Sequence, residues 1–183
     1  TLAVQEVFFP RYTPPEKTYC NLMQYSGKTF ADNEGDGDMP RTYSELYISV
    51  RNRLRDAGIE AAELEGKLIV ATAAGKTTEK LLRDMRFYAT DEVERRTESM
   101  LGRRLAGEPV AYITGVWEFR GLPMEVNPSV LIPRVDTEVL AETAIRWLHG
   151  RKMDARVLDL CSGSGCIGCA IADALPQARV VLA

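Results

Sequence analysis

The chain has 183 residues, 45% of them hydrophobic and 27% charged, which fits one globular domain or two small ones. A net charge of −3 and a pI near 5.4 argue against tight electrostatic binding of bare nucleic acid. No run approaches the ~20 apolar residues of a membrane span, no basic-then-apolar signal segment opens the chain, and four cysteines, three of them crowded at Cys161, Cys166 and Cys169, do not resemble a secreted disulfide framework, so the cytoplasm is the expected compartment.

Residues 1–38 carry Pro10, Pro14, Pro15 and an acidic turn-forming run from Asp32 to Asp38, without sustained periodicity. They are expected to be a disordered or non-native extension, with Met39 as the natural start. From Thr42 the signals sharpen. Thr42-Tyr43-Ser44-Glu45 is a capping-box pattern, and Leu46, Val50, Leu54 and Ala57 recur at helical spacing before Gly58. Ala61, Leu64, Leu68 and Ala71 predict a second helix ending near Gly75. Leu81, Leu82 and Met85 predict a short third. Thr90 caps a fourth, with Val93, Thr97, Met100 or Leu101, and Leu105 inward and Gly107 closing it. Four short amphipathic helices make residues 39–115 a small bundle.

Beyond Gly107-Glu108-Pro109 the texture changes. Val116–Phe119 and Met124–Asn127 flank Arg120-Gly121-Leu122-Pro123 and predict a β-hairpin. A helix from about Pro133 to Leu148 follows, with Leu140, Ala144 and Trp147 on one face and Gly150 after it. Strand 156–160, helix 165–175 and strand 178–183 then open a βαβ unit. The fold class is therefore α/β: a helical bundle, then residues 116–183 as a hairpin linker and the start of a parallel sheet.

The chemistry is carried by Asp159 and the turn Cys161-Ser162-Gly163-Ser164-Gly165, which connects an apolar strand to a helix. Small residues let the backbone approach a ligand, and the helix N-terminus aims N–H groups at it. Gly163, Gly165 and Gly168 satisfy the dinucleotide pattern G-x-G-x-x-G. The competing pattern is the S-adenosylmethionine loop of class I methyltransferases, an acid followed by G-x-G-x-G, with Cys161 in place of the first glycine; the preceding Asp159 favours it. A structural strand-to-helix turn is the third reading. Other motifs are weaker. The spacing of Cys161, Cys166 and Cys169 copies iron–sulfur ligands, but two of the three fall on a helix packed against the sheet and no fourth cysteine follows, so buried thiols and no metal are expected. Ala74-Gly75-Lys76-Thr77 resembles the end of a P-loop but follows a helix, which makes it a helix stop. His149, the only histidine, sits at a helix C-terminus and receives no catalytic role.

Taken together, the run Gly107 to Gly115 (G-E-P-V-A-Y-I-T-G), Glu118-Phe119, Leu131-Ile132-Pro133-Arg134-x-Asp136-Thr137-Glu138 and the Asp159 loop closely resemble the peptide chain release factor glutamine methyltransferases of the HemK/PrmC type, from about Thr42 to Ala183. The resemblance implies a helical release-factor-binding domain, a hairpin linker and a class I, Rossmann-like domain that uses S-adenosyl-L-methionine. Such enzymes N5-methylate the glutamine side chain of the Gly-Gly-Gln motif. It further implies that Asp159, Cys161, Ser162, Gly163, Ser164, Gly165 and Arg134 serve the cofactor, and that Leu131 and Arg134 line the floor near the methyl group and the glutamine.

Two departures, Val135 for the family's proline and Cys161 for a glycine, look tolerable. The third concerns activity. The family's Asn-Pro-Pro-Tyr motif is expected beyond Ala183, which leaves no catalytic residue within the chain and predicts that these 183 residues alone are inactive. Asn127-Pro128-Ser129-Val130 lacks the aromatic fourth residue and is not a substitute. A monomer that engages a release factor, with no direct nucleic-acid or membrane contact, is the expectation. An amino-methyltransferase acting on RNA or DNA and a non-enzymatic docking fragment are the alternatives.

Overall fold

A computed structural model describes the backbone of Gln5–Glu6 and residues 40–149 and 155–183. Met39 and Gly150, and nearly all of the 1–38 segment, lie outside the described residues. Helix α1 (Tyr43–Asp56) begins at the capping box: Thr42 Oγ1 accepts from Glu45 N at 3.2 Å, and Glu45 Oε2 accepts from Thr42 N at 2.8 Å. Such a cap stabilises a helix by about 1 kcal/mol. Leu46, Val50 and Leu54 are completely buried on its inner face, each contributing roughly 1.5–3 kcal/mol of apolar burial.

Helix α2 (Ala62–Ala73) is turned by about one residue from the face that the sequence suggests. Ala62, Gly66, Ile69, Val70 and Ala73 point inward beside the expected Ala71 and Leu68, whereas Ala61 and Leu64 are exposed. The reason is close packing against α1. A Cβ on Gly66 would sit 3.4 Å from the Tyr47 ring and 3.5 Å from the Arg51 backbone, so the helices approach over small residues and the larger Leu64 is left outside. The turn also buries Glu65, which Arg104 neutralises in a 2.6 Å ion pair. Helices α3 (Thr78–Arg83) and α4 (Asp91–Leu105) start at the side-chain caps Thr77 and Thr90. Thr97, Met100 and Leu101 of α4 close the bundle core, while Leu105 stays exposed.

A five-residue helix, α5 (Val110–Thr114), follows and is too short to show periodicity in sequence. It leads into the hairpin of β2 (Val116–Phe119) and β3 (Leu122–Glu125). The turn is only two residues, Arg120 and Gly121, with φ of +52° and +78°. This is the double positive-φ pattern of tight hairpins. The wider turn expected from Pro123 is corrected: Pro123 pairs with Glu118 inside the strand. That pair is one removed from the turn-flanking pair, where an antiparallel ladder needs no N–H.

Helix α6 (Val135–His149) buries Ala141 and Leu148, whereas Leu140 and Trp147 are more than half exposed. The inner face is therefore Ala141, Ala144, Ile145 and Leu148. Strand β4 (Arg156–Asp159), helix α7 (Cys166–Ala174) and strand β5 (Arg179–Leu182) form the βαβ unit, β4 and β5 pairing in parallel from Arg156–Arg179 to Asp159–Leu182. On the other side of β5 the short strand β1 (Gln5–Glu6) adds antiparallel, giving the sheet order β1-β5-β4.

Two buried clusters meet at the hairpin. The bundle core runs from Tyr43 to Ile113, and a second core joins Ala111, Phe119, Met124 and Val126 to Ala141 of α6 and to Cys166 and Ala170 of α7. Trp117 packs against both. The hairpin therefore couples the bundle to the glycine-turn end of the βαβ unit.

Candidate cofactor loop and its supports

The loop is anchored at both ends. Asp159 ends β4, and its Oδ2 accepts from Gly168 N in the first turn of α7 at 2.9 Å. That N–H is one of the four that an α-helix leaves without an internal partner, so the carboxylate caps the helix from behind the turn. Ser162 N donates to Ala183 O, and Ala183 N donates to Asp159 O, both at 3.0 Å, which tie the loop to the end of β5.

Within the loop, Cys161, Gly163 and Gly165 alternate in the left-handed region, with φ of +58°, +57° and +73°. Cys161 thus occupies a conformation that favours glycine, at the position where the resemblance places one. A Cβ on Gly163 would meet nothing within 4 Å, so that backbone faces open space. Gly165 and Gly168 serve packing. Added Cβ atoms there would lie 2.9 Å and 2.2 Å from the Leu182 side chain, so the two glycines leave the room that Leu182 fills between α7 and β5.

Leu131 and Arg134 are both exposed, and their backbone is held against the same end of the molecule. Val130 and Ile132, on either side of Leu131, pack in the cluster that holds Cys166, Ile167 and Cys169 of α7. Tyr112 of α5 donates from its hydroxyl to Val130 O at 2.8 Å. Glu138 accepts from Arg120 N at 3.0 Å, pinning the hairpin turn to the first turn of α6, and Arg120 pairs with Glu142 at 2.8 Å. The motif residues Tyr112 and Glu138 are therefore clamps between segments. The sequence displays both in its motifs but gives no sign of whom they contact; the Glu65–Arg104 pair has no local signal at all.

Ser162 and Ser164 are half-buried, and Cys161 is exposed. Cys166 is buried and Cys169 half-buried on α7. Burial pushes the Cys169 thiol pKa up, with the neighbouring Cys166 and Asp159 adding to the rise. Among the described residues no group of three or more His, Cys, Asp or Glu is placed to hold a metal ion. Gly75 follows α2, Lys76 pairs with Asp84 and Thr77 caps α3, so the P-loop-like tetrapeptide is a helix-to-helix connection. His149 lies with Arg120, Glu142, Ile145 and Arg146 around an open cleft of about 450 Å³. A second cleft, about 380 Å³, runs between Glu65, Arg104, Pro109, Trp117 and Ile132 where bundle and hairpin meet. The loop 159–165 lines neither.

The loop fits a nucleotide-type cofactor in three respects: a backbone open to approach at Gly163, a helix N-terminus behind it, and a carboxylate in its base. A small helical bundle coupled through a β-hairpin to a βαβ unit with a glycine turn is the class that the fold and loop define. Residues 45–115 match the family model of the PrmC N-terminal domain. The release factor glutamine methyltransferase of Bordetella pertussis is 42% identical over 135 residues, covering 72% of this chain and 47% of that protein. Its counterpart in Bifidobacterium longum is 38% identical over 142 residues (75% and 48%), and that of Escherichia coli 35% over 122 residues (67% and 43%). Over these residues the chain is similar to the release factor glutamine methyltransferases, and it spans about half the length of the curated relatives it matches. No helix among the described residues is long and apolar enough to cross a membrane.

Proposed function

We propose that this chain contributes the partner-binding bundle and the cofactor loop of an enzyme that transfers a methyl group from S-adenosyl-L-methionine to the side-chain nitrogen of the glutamine in the Gly-Gly-Gln motif of peptide chain release factors. The carrying observation is the coupling of a PrmC-type bundle, through Trp117 and Tyr112, to a loop with three alternating left-handed residues behind Asp159. The same reading makes the protein a cytoplasmic monomer that meets a protein partner and no nucleic acid or membrane.

The bound cofactor supplies an electrophilic sulfonium methyl. The chain supplies position. An amide nitrogen is a poor nucleophile because its lone pair is delocalised, so the rate must come from alignment and from acceptors for the amide hydrogens. In this reading Cys161 to Gly165 present backbone to the cofactor. Asp159 holds α7 in place and puts negative charge at the base of the loop. Leu131 and Arg134, set by Tyr112 and by the Glu138–Arg120 bond, form the floor toward the acceptor. The sequence contains no Asn-Pro-Pro-Tyr, the expected source of those acceptors, so these 183 residues alone are expected to show no turnover.

The test is transfer of labelled methyl to a purified release factor by a protein of the relatives' full length that carries this chain. Label on the wild-type factor, and none on one whose Gly-Gly-Gln glutamine is changed to alanine, is expected. Label on RNA or DNA instead would replace this reading with the nucleic-acid amino-methyltransferase.

A further inference from the structure

The first turn of α7 holds two thiols at the spacing of a redox dithiol. It reads Cys166-Ile167-Gly168-Cys169 and follows the strand and turn of the βαβ unit. A C-x-x-C run at the N-terminus of such a helix is the arrangement of dithiols that cycle between thiol and disulfide. Residues three apart share a helix face, and here both side chains pack in the cluster of Phe119, Met124, Val126 and Ala141. Both are free thiols, Cys166 buried and Cys169 half-buried. They also lie within electrostatic reach of each other: after burial itself, Cys166 and then Asp159 raise the Cys169 pKa. Cys161 is set apart, exposed on the loop before the helix.

Helix geometry allows a bond between the two and gives it a consequence. On a regular α-helix the Cα atoms of such a pair are about 5 Å apart, inside the range that disulfides span. Their Cβ atoms are about 5–6 Å apart, against about 3.8 Å in a disulfide. Closing the bond must therefore draw Cys166 and Cys169 together by roughly 1–2 Å. The backbone that has to yield carries the ties between α7 and the loop. Gly168 N donates to Asp159 Oδ2 at 2.9 Å, and Cys169 N donates to Gly165 O at 2.8 Å. Oxidation pulls on both hydrogen bonds, and reduction restores them. A disulfide under that tension is readily reduced, which suits a switch and not a permanent brace.

We propose that Cys166 and Cys169 form a reversible oxidation site for hydrogen peroxide, and that their disulfide loosens the Asp159 cap and the loop it anchors. One sulfur attacks the peroxide: a sulfur–oxygen bond forms, the oxygen–oxygen bond breaks, and the departing hydroxide takes up the thiol proton as water. The second sulfur then displaces the sulfenic oxygen, which leaves as hydroxide and takes the second thiol proton. Two sulfurs lose two electrons in all, and the peroxide is reduced to two waters. The site does not depend on which cofactor the loop holds.

The experiment treats the purified chain with a small excess of hydrogen peroxide, blocks the remaining thiols with N-ethylmaleimide and maps the tryptic peptide Val157–Arg179, which holds all three of these cysteines. The variant C161S runs beside the wild type, with circular dichroism to show that it is folded. Its peptide contains only Cys166 and Cys169, so a disulfide within that peptide joins those two. Loss of two hydrogens from the peptide in both proteins, reversed by dithiothreitol, is expected. Amide exchange over the first turn of α7 should rise about fivefold on oxidation, the worth of one helix cap. No disulfide in the C161S peptide, whether the thiols stay reduced, go only to sulfinic and sulfonic acids or pair with Cys161 or Cys20 in the wild type, overturns the oxidation site. A disulfide that leaves amide exchange unchanged overturns its hold on the loop.

Discussion

Asp159 Oδ2 lies 2.9 Å from Gly168 N, and the same oxygen would be 3.1 Å from a Cβ at position 168. Helix cap and helix packing therefore meet at one atom. A Gly168→Ala change brings a methyl to 2.2 Å from Leu182 Cδ2 and to 3.2 Å from Val180 Cγ1, so the Leu182 side chain must swing aside or α7 must move off the sheet. The expected cost is about 1–3 kcal/mol of overpacking, read as a lower urea midpoint at unchanged slope. Asp159→Asn should lose about 1 kcal/mol, the charged part of the cap.

Cys161 carries a side chain at φ +58° and is exposed. Removing that side chain costs no packing and relieves a conformation worth roughly 1–2 kcal/mol to an L-residue, partly offset by the entropy of glycine. Cys161→Gly should raise the urea midpoint slightly, and Cys161→Val should lower it. Equal midpoints for the two variants would show that the turn is not left-handed at this residue.

Glu65 and Arg104 form a largely buried pair between α2 and α4. Glu65→Leu alone leaves the guanidinium without its partner and should cost about 3 kcal/mol, whereas the double change Glu65→Leu with Arg104→Met should recover most of that loss. A double-mutant cycle in urea measures the coupling. Additive effects would mean that the pair contributes no interaction energy. Thr97 gives a simpler case in the same core. Its buried hydroxyl has no hydrogen-bond partner among the described residues, so Thr97→Val should stabilise by about 1 kcal/mol.

The three loop and α7 thiols should separate by reactivity. Cys161 is exposed, whereas burial of Cys169 raises its pKa, and a thiol must ionise to be alkylated. With iodoacetamide at mildly alkaline pH, peptide mapping should find Cys161 modified first and Cys169 late, the difference vanishing in urea. The sign for stability follows from a folded pKa raised above the unfolded one. The contribution of Cys169 is fully present below the ordinary thiol range and fades as pH rises through its raised value. Early labelling of Cys169 in the folded chain would contradict the packing of α7.

How much of this was legible in the sequence depended on the range of the interaction. The capping box, the βαβ order and the Thr90 cap are local patterns, and they were readable; the Thr77 cap was hidden in a tetrapeptide that looked like the end of a P-loop. The inner face of α2 was not, because Gly66 and Ala62 matter through what α1 brings against them. The exposed face of α6 misled for a similar reason: Leu140 and Trp147 are the larger residues, but the small Ala141 and Ala144 allow the helix to pack. The hairpin turn was obscured by Pro123, whose ladder position only the register reveals. At the candidate site the glycine spacing announced the loop. The capping of Gly168 by Asp159 and the contacts of Tyr112 and Glu138 depended on the tertiary fold.

The central claim, that the loop from Asp159 to Gly165 holds S-adenosyl-L-methionine, is tested most directly by equilibrium dialysis of the labelled cofactor. The protein should again be one of the relatives' full length that carries this chain, as wild type and as Gly163→Val. Saturable binding that S-adenosylhomocysteine displaces, that NAD does not, and that Gly163→Val abolishes is the expected result. Binding that NAD displaces, or that survives Gly163→Val unchanged, would contradict it.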